Sequence, residues 1–252
     1  MEKQFVTNHL GPFLFTGLLI PLMLDGNPTS TSISKSPQRS NSGLGRIGRV
    51  EKRIINTSSE AHRISPIRFS DLHQTPGVRV LEEEMPRRGM PEGVLRGGDG
   101  ARSGYVYEPA IAYGQSKTAN VLLSVELNRR LAGRVGSWAV SPGNIMTNLV
   151  RGADEQMLKG MLSGVPESEW KTIDQGAATL VVAGFDPGLD GGIVSDGVYL
   201  HDCQIRRPSK WASDPGFAER LWRVSEELVG EKFDFGELKE VVGRGKGKGS
   251  RL

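Results

Sequence analysis

The stretch Ala112-Tyr-Gly-Gln-Ser-Lys-Thr-Ala-Asn120 decides how this chain of 252 residues is interpreted. Apolar residues recur after it at steps of three and four, which predicts an amphipathic helix over Tyr113–Leu131. Residues four apart share one helix face, so the Tyr113 phenol and the Lys117 ammonium are within reach of each other. A nearby cation favours the phenolate. We therefore expect Lys117 to lower the pKa of Tyr113 and to make it a proton donor or acceptor near neutral pH.

Shorter patterns on both sides of this helix predict strands that alternate with helices. The predicted strands are 53–57, 136–141 and 197–200, and the other predicted helices are 4–24, 172–183 and 217–229, with Gly230 as a cap. Pro142-Gly143 ends the second strand. This alternation predicts an α/β fold with a parallel sheet, and we expect one domain over residues 1–235.

Two long loops are predicted inside that domain. Residues 26–50 are rich in Ser, Gly and Pro, and they hold too little apolar surface to offset the entropy of ordering them. Residues 64–109 contain five prolines and form the second irregular stretch. Its acidic and basic run Glu82–Arg88 is expected to be a solvated excursion, with a lid over a substrate site as the alternative.

The overall charge excludes little and points to no special partner. The net charge is +3, and the basic residues cluster only in the Gly-rich tail 236–252, which we expect to be disordered. We therefore predict no nucleic-acid partner. The single cysteine, Cys203, cannot form an intrachain disulfide, so nothing indicates an oxidising compartment.

An apolar run at the N-terminus, Leu10–Leu24, leaves two interpretations open. It is shorter than the roughly 20 residues that a membrane-spanning helix needs, and no small-residue cleavage site follows it. We predict a buried core helix and a cytoplasmic protein. A signal or membrane segment is the alternative.

Four motifs in order resemble the short-chain dehydrogenase/reductase family. They are Phe5–Thr16, Arg53–His62, the Tyr113 and Lys117 pair, and Trp138–Thr147. The segment Gly197–Cys203 and the last predicted helix resemble the retinol-dehydrogenase-like, fungal-type branch of that family. The resemblance implies a Rossmann-like, doubly wound parallel sheet and an NAD(P)-dependent interconversion of an alcohol and a ketone or aldehyde.

The resemblance also implies a role for each matching residue. Tyr113 would exchange the proton with the substrate oxygen, Ser59 would donate a hydrogen bond to that oxygen, and Asn8 would fix a water that links Lys117 to solvent. Ser58 is the alternative to Ser59, and Asn8 could also be a simple helix cap. The residues implied in cofactor binding are Tyr113, Lys117, Pro142, Gly143, Ile145 and Thr147.

The sequence departs from the family at its start. The family's fold begins with a strand, a Gly-rich turn and a helix that bind the pyrophosphate, and no such segment is found here. The glycines at 43, 45 and 48 have the Gly-x-Gly-x-x-Gly spacing, but no strand precedes them and no amphipathic helix follows. We therefore interpret the chain as the C-terminal half of such a domain, with a truncated N-terminal half, and expect it to bind NADP or NAD poorly. The edge of strand 53–57 and the apolar face of helix 4–24 would then be exposed.

A second hypothesis follows from that departure. The chain could be a catalytically idle paralogue that pairs with itself or with an intact relative through the helix 112–131. Of the remaining polar residues, His62 and His201 are expected at the surface, while Asp202 and Cys203 are expected to pack rather than to bind a metal.

Overall fold

The computed structural model describes residues 1–25, 52–86, 107–145, 165–189 and 198–236. In this part of the chain a four-stranded sheet has the order β1-β2-β5-β6, and β3 pairs with β4 in a small second sheet. The first three strands of the main sheet are parallel, and β6 is antiparallel to β5. The strands are β1 (Arg53–Thr57), β2 (Gly136–Ser141), β3 (Asn144–Ile145), β4 (Trp170–Lys171), β5 (Tyr199–His201) and β6 (Gln204–Ile205).

The helices among these residues fall into four groups. The N-terminal helix consists of α1 (Lys3–Phe5), a π-helical turn (Val6–Leu10) and α2 (Gly11–Asp25). The others are α3 (Pro109–Leu131), α4 (Ile173–Phe185) and α5 (Pro215–Val229). Short 3₁₀ turns cover Glu60–Arg63, Glu82–Glu84, Glu167–Glu169, Pro187–Leu189 and Lys210–Ala212. The predicted α/β architecture with a parallel sheet is confirmed.

Helix α3 forms the centre of the molecule. It begins at Pro109, whose missing N–H costs nothing in the first turn, and the Glu108 carboxylate caps it by accepting from the Ala110 amide. Ala132 ends it in the left-handed conformation. The helix packs against β1 and β2 with one face and against the N-terminal helix and α5 with the others, so most of its side chains are buried. The predicted dimer through 112–131 stays a prediction, and this burial leaves α3 little free surface for it.

Aromatic residues fasten the N-terminal helix to α5. Phe13 and Trp222 meet edge to face at 4.9 Å, and Phe233 lies 5.6 Å from Phe13. The ring of Phe233 fills the space over Gly17, where a Cβ would meet ring atoms at 2.5 Å. Arg130 of α3 covers the Trp222 ring at 4.4 Å, which joins three helices in one cluster.

The N-terminal helix is buried on one side only. Phe5, Phe13 and Ile20 face the core, whereas Phe15 and Leu22 are 66% and 70% exposed. The predicted helix is thus confirmed, but the expectation that it is buried is wrong for its outer face. Judged by length and composition alone, the helical segment Lys3–Leu24 could cross a membrane, and about a third of its most apolar part, 33%, is buried in the fold. A cytoplasmic location therefore stays a prediction.

The segment after β1 corrects another expectation in part. Residues 64–86 have little regular structure, as predicted, and residues 75–79 and 81–83 are exposed, as expected of a solvated excursion, whereas other positions pack against the fold. Ile67, Arg68 and Val80 are buried, and the Gln115 side chain of α3 accepts a hydrogen bond from the Arg68 amide at 2.8 Å. The Glu84 carboxylate is 3% exposed and is held by Ser70.

Strand β1 lies at an edge of the main sheet in the described part of the chain, since it pairs only with β2 there. The expected exposure of this edge stays a prediction. The predicted loop 26–50, the glycines at 43, 45 and 48, residues 87–106 of the second loop, Thr147 and residues 237–252 of the tail lie outside the described residues.

Candidate active site

Ser59 and Tyr113 are brought together although they lie far apart in the sequence. Ser59 follows the carboxyl end of β1, where it caps the 3₁₀ turn by accepting from the Ala61 amide at 3.2 Å. Tyr113 lies in the second turn of α3, and its hydroxyl lies near that of Ser59, close enough for the serine to lower the pKa of the phenol. The carboxyl end of a parallel strand and the side of the helix packed on it thus place two hydroxyls at one point.

The pKa of Tyr113 moves opposite to the expectation. Burial raises the pKa of this phenol, and the hydrogen bond from Ser59 lowers it by a smaller amount. Tyr113 is therefore protonated at neutral pH, the state a proton donor needs. The prediction that Lys117 lowers its pKa is wrong for this arrangement, because burial dominates and the opposing contribution comes from Ser59.

Lys117 shares its surroundings with Tyr113. Its ammonium lies 5.4 Å from the centroid of the Tyr113 ring and donates to the Thr57 carbonyl at 3.2 Å. Burial lowers the pKa of Lys117. The predicted spacing on one face of α3 is thus confirmed, with the cation beside the ring and near the end of β1.

The two candidate serines, Ser58 and Ser59, differ in the groups that their hydroxyls contact. Ser58 is 2% exposed, and its hydroxyl donates to the Lys117 backbone carbonyl at 2.8 Å, so it joins β1 to α3. Ser59 faces the Tyr113 hydroxyl instead. The geometry favours Ser59 as the serine that meets a substrate, as the sequence suggested.

Replacement of each serine should separate these roles. Ser59→Ala should lower kcat about 100-fold, because it removes a donor at the reacting oxygen, and should also lower the free energy of unfolding by about 1 kcal/mol, because it removes the cap of the 3₁₀ turn. Ser58→Ala should lower the free energy of unfolding by about 1 kcal/mol and leave kcat within a few-fold. Steady-state kinetics and urea unfolding of both variants test this. A larger kcat loss in Ser58→Ala would reverse the assignment.

Asn8 lies in the π-helical turn of the N-terminal helix. Its side-chain amide donates to the Ser116 hydroxyl at 3.0 Å, and that hydroxyl donates in turn to the Tyr113 carbonyl at 2.8 Å. Single π-helical turns inside α-helices often occur at functional sites, and here the turn contains Asn8, whose side chain contacts α3. The alternative of a helix cap is wrong, because Glu2 caps this helix. The predicted water that joins Asn8 to Lys117 stays a prediction.

The Pro142-Gly143 segment leaves the carboxyl end of β2, beside β1. Gly143 has φ +86, a left-handed conformation that favours glycine, and a Cβ there would meet the Lys171 side chain at 2.9 Å. Ile145 packs on Gly176 of α4, where even one added methyl would collide with it. Three implied cofactor contacts, Pro142, Gly143 and Ile145, therefore belong to a turn that is fixed from two sides.

Two site residues were missed by the sequence interpretation. Asn120 donates to the Thr57 carbonyl at 2.8 Å, the same oxygen that Lys117 contacts. It therefore joins the end of β1 to α3 beside Lys117. Ser116 links Asn8 to the backbone of Tyr113. Their positions three residues after Tyr113 and Lys117, on the same helix face, were the available signal.

Two histidines near the site differ in their surroundings. The expectation of a surface position is wrong for His62, which is fully buried, while His201 is half-buried. Asp202 is exposed and paired with Lys171 at 2.6 Å, which corrects the expectation that it packs. No group of three or more metal-ligating side chains occurs among the described residues.

The residues fit one end of a nicotinamide cofactor. Lys117 is a cation beside the phenol that could bind ribose hydroxyls, and the turn at Gly143 offers backbone groups close to the same strand ends. The portion of the chain that the structure describes contains no Gly-rich turn opening a helix that could hold a pyrophosphate.

Known proteins resemble this chain over most of its length. No family model matches the sequence. The chain is 34% identical over 234 residues to the short-chain dehydrogenase TIC 32 B, chloroplastic, of Brassica napus, covering 91% of this chain and 57% of that protein. It is 30% identical to retinol dehydrogenase 12 of Mus musculus, covering 92% and 56%. A crystal structure of an uncharacterized protein from Mycobacterium Paratuberculosis has 24% identity and a TM-score of 0.49, covering 92% and 60%.

Proposed function

We propose that this chain, which is a short-chain dehydrogenase/reductase in sequence over its 234 matched residues, interconverts an alcohol and a ketone or aldehyde with NADP or NAD as the hydride carrier. The observation that carries the proposal is the proximity of the Ser59 and Tyr113 hydroxyls at the carboxyl end of β1. The chain spans little more than half the length of the curated relatives it matches. Its activity, substrates and partners are therefore part of the proposal.

The two hydroxyls suit a carbonyl oxygen as the third member of their contact. A carbonyl oxygen can accept two hydrogen bonds, and Ser59 and Tyr113 each offer one from neighbouring positions. As negative charge develops on that oxygen, Ser59 stabilises it and Tyr113 transfers its proton to it. The raised pKa of Tyr113 keeps the proton available for this step at neutral pH.

Lys117 and Asn8 act on the groups around the proton donor. The Lys117 ammonium beside the Tyr113 ring stabilises the phenolate that remains after proton transfer. Asn8 and Ser116 fix the backbone at Tyr113, which holds the phenol in position. The nicotinamide, when bound, supplies or accepts the hydride.

A second candidate function is an interaction fragment without turnover. It is favoured by the edge of β1 and by exposed apolar side chains on the N-terminal helix, among them Phe15, Leu18 and Leu22. An unpaired strand edge and a contiguous apolar face are features that bind another chain. Cofactor binding separates this candidate from the oxidoreductase.

Titration of the folded chain with NADPH and NADH, followed by nicotinamide fluorescence, tests the proposal. We expect saturable but weak binding, and we expect Lys117→Met to weaken it about 10-fold further, because the variant removes the cation but keeps a side chain of similar length. Lys232→Met, at an exposed position after α5 and outside the proposed site, is the matched control and should bind like the unmodified chain. Absence of binding by a folded sample would favour the interaction fragment.

A further inference from the structure

We propose that His62 is a positioning residue that holds Ser59 in place against Tyr113. The inference rests on the proposed function, because it assigns a further residue to the same site. His62 lies three residues after Ser59, in the 3₁₀ turn at the end of β1, and none of its surface is exposed. Its contacts join this turn to two other parts of the fold.

The ring of His62 is bonded at both nitrogens. Nε2 lies 3.1 Å from the Ser209 amide nitrogen, and a backbone N–H can only donate, so Nε2 is the acceptor. Nδ1 then carries the proton and donates to the Ser59 carbonyl at 2.7 Å. The His62 amide donates to the same carbonyl at 3.0 Å. The Ser59 backbone is therefore held from two directions by one residue in one tautomer.

The backbone carbonyl of His62 accepts hydrogen bonds from other parts of the fold. The Trp211 indole donates to it at 3.0 Å and the Ser209 hydroxyl at 3.3 Å. The Thr118 hydroxyl of α3 lies 2.9 Å from it and 2.7 Å from the Ser65 carbonyl, and these two acceptors share its single hydrogen. Thr118 is the neighbour of Lys117 in the helix that carries Tyr113. His62 thus ties the serine turn both to the catalytic helix and to the segment before α5.

The surroundings keep His62 neutral. Its ring packs against that of Tyr199 at 4.7 Å, and burial lowers the pKa of His62 to about 4. Protonation would place a hydrogen on Nε2 facing the Ser209 amide, so the network exists only with the neutral ring. The imidazole itself bonds to the Ser59 carbonyl and to the Ser209 amide, and the backbone carbonyl of residue 62 keeps its donors in any variant. Loss of the imidazole should therefore act on catalysis through Ser59.

Two substitutions test the two ring nitrogens of His62 separately. His62→Asn keeps a donor at the position of Nδ1 and should retain kcat within about threefold. His62→Gln places its amide near the position of Nε2, loses the bond to the Ser59 carbonyl and should lower kcat about 10-fold with KM unchanged. In a Ser59→Ala background the His62→Gln substitution should cause almost no further loss, because the group it positions is gone. Asn128→Ala is the control: it breaks a buried pair of bonds to Ser137 at the opposite end of β2 and should lower stability without lowering kcat.

An independent readout needs no turnover. The ¹⁵N shifts of the His62 imidazole should report the Nδ1–H tautomer at pH 7, and a ring protonated on Nε2 would overturn the proposal. The proposal would also be overturned if His62→Gln lowered kcat by the same factor in the Ser59→Ala variant as in the unmodified chain. Such additive losses would indicate a general structural role for His62. If His62→Gln fails to fold, Trp211→Phe removes one donor to the His62 carbonyl and should give a smaller loss that also disappears without Ser59. If the unmodified chain has no turnover, the proposed function fails and the tautomer alone decides the role of His62.

Discussion

Tyr113→Phe is expected to lower kcat about 1,000-fold while leaving the fold and the affinity for cofactor nearly unchanged. The substitution removes only the hydroxyl that lies near that of Ser59, so the reacting oxygen loses its proton donor. The ring stays, and with it the cation contact of Lys117. Steady-state rates with a panel of small ketones and aldehydes, measured by oxidation of the reduced cofactor, provide the comparison.

The matched control for this substitution is Tyr107→Phe. The Tyr107 hydroxyl donates to Glu2 at 3.1 Å, away from Ser59, and its ring is partly exposed. This variant should keep full turnover and lose at most about 1 kcal/mol of stability. If Tyr113→Phe retained turnover at the level of Tyr107→Phe, Tyr113 could not be the proton donor.

Acidification from pH 7 to pH 5 is expected to lower the free energy of unfolding by about 4 kcal/mol. The cause is two histidines that are buried in the neutral form. Burial lowers the pKa of His9 to about 3 and that of His62 to about 4, from an ordinary value of 6.5. Below pH 6.5 these two histidines bind protons in the unfolded chain but remain neutral in the folded chain. The stabilisation is therefore complete above pH 6.5 and is lost as the pH falls towards the folded-state pKa values.

Urea unfolding between pH 5 and pH 8 measures this loss. His9 is packed between the Phe5 and Phe13 rings and is bonded to Ser225, so His9→Gln should remove about half of the pH dependence. His73→Gln, which changes an exposed residue, should leave it as it is. A free energy of unfolding that stays constant from pH 8 to pH 5 would contradict the buried neutral state of both rings.

The local part of the site could be predicted from the sequence. The spacing of Tyr113 and Lys117 depends only on helix geometry, and the position of Ser59 depends on where a short apolar strand ends. These features are set by neighbours a few residues away. The choice of Ser59 over Ser58 rested on its position one residue further past the strand.

The remainder depends on contacts between distant segments. His62 follows two serines and looks like a surface residue, but Thr118, Ser209 and Trp211 bury it from other parts of the chain. The pKa of Tyr113 was predicted in the wrong direction because the sequence shows the nearby cation but not the extent of burial. The sequence also could not identify which apolar residues of the N-terminal helix are exposed, since Phe15 and Leu22 have the same apolar character as the residues that face the core.

Direct transfer of hydride is the measurement that tests the central claim. The chain is incubated with NADPH or NADH deuterated at C4 of the nicotinamide, together with a ketone or aldehyde, and the alcohol product is analysed by mass spectrometry. We predict one deuterium on the carbinol carbon with the unmodified chain and almost none with Tyr113→Phe. A folded chain that yields no deuterated alcohol, or equal amounts from both proteins, would contradict the account.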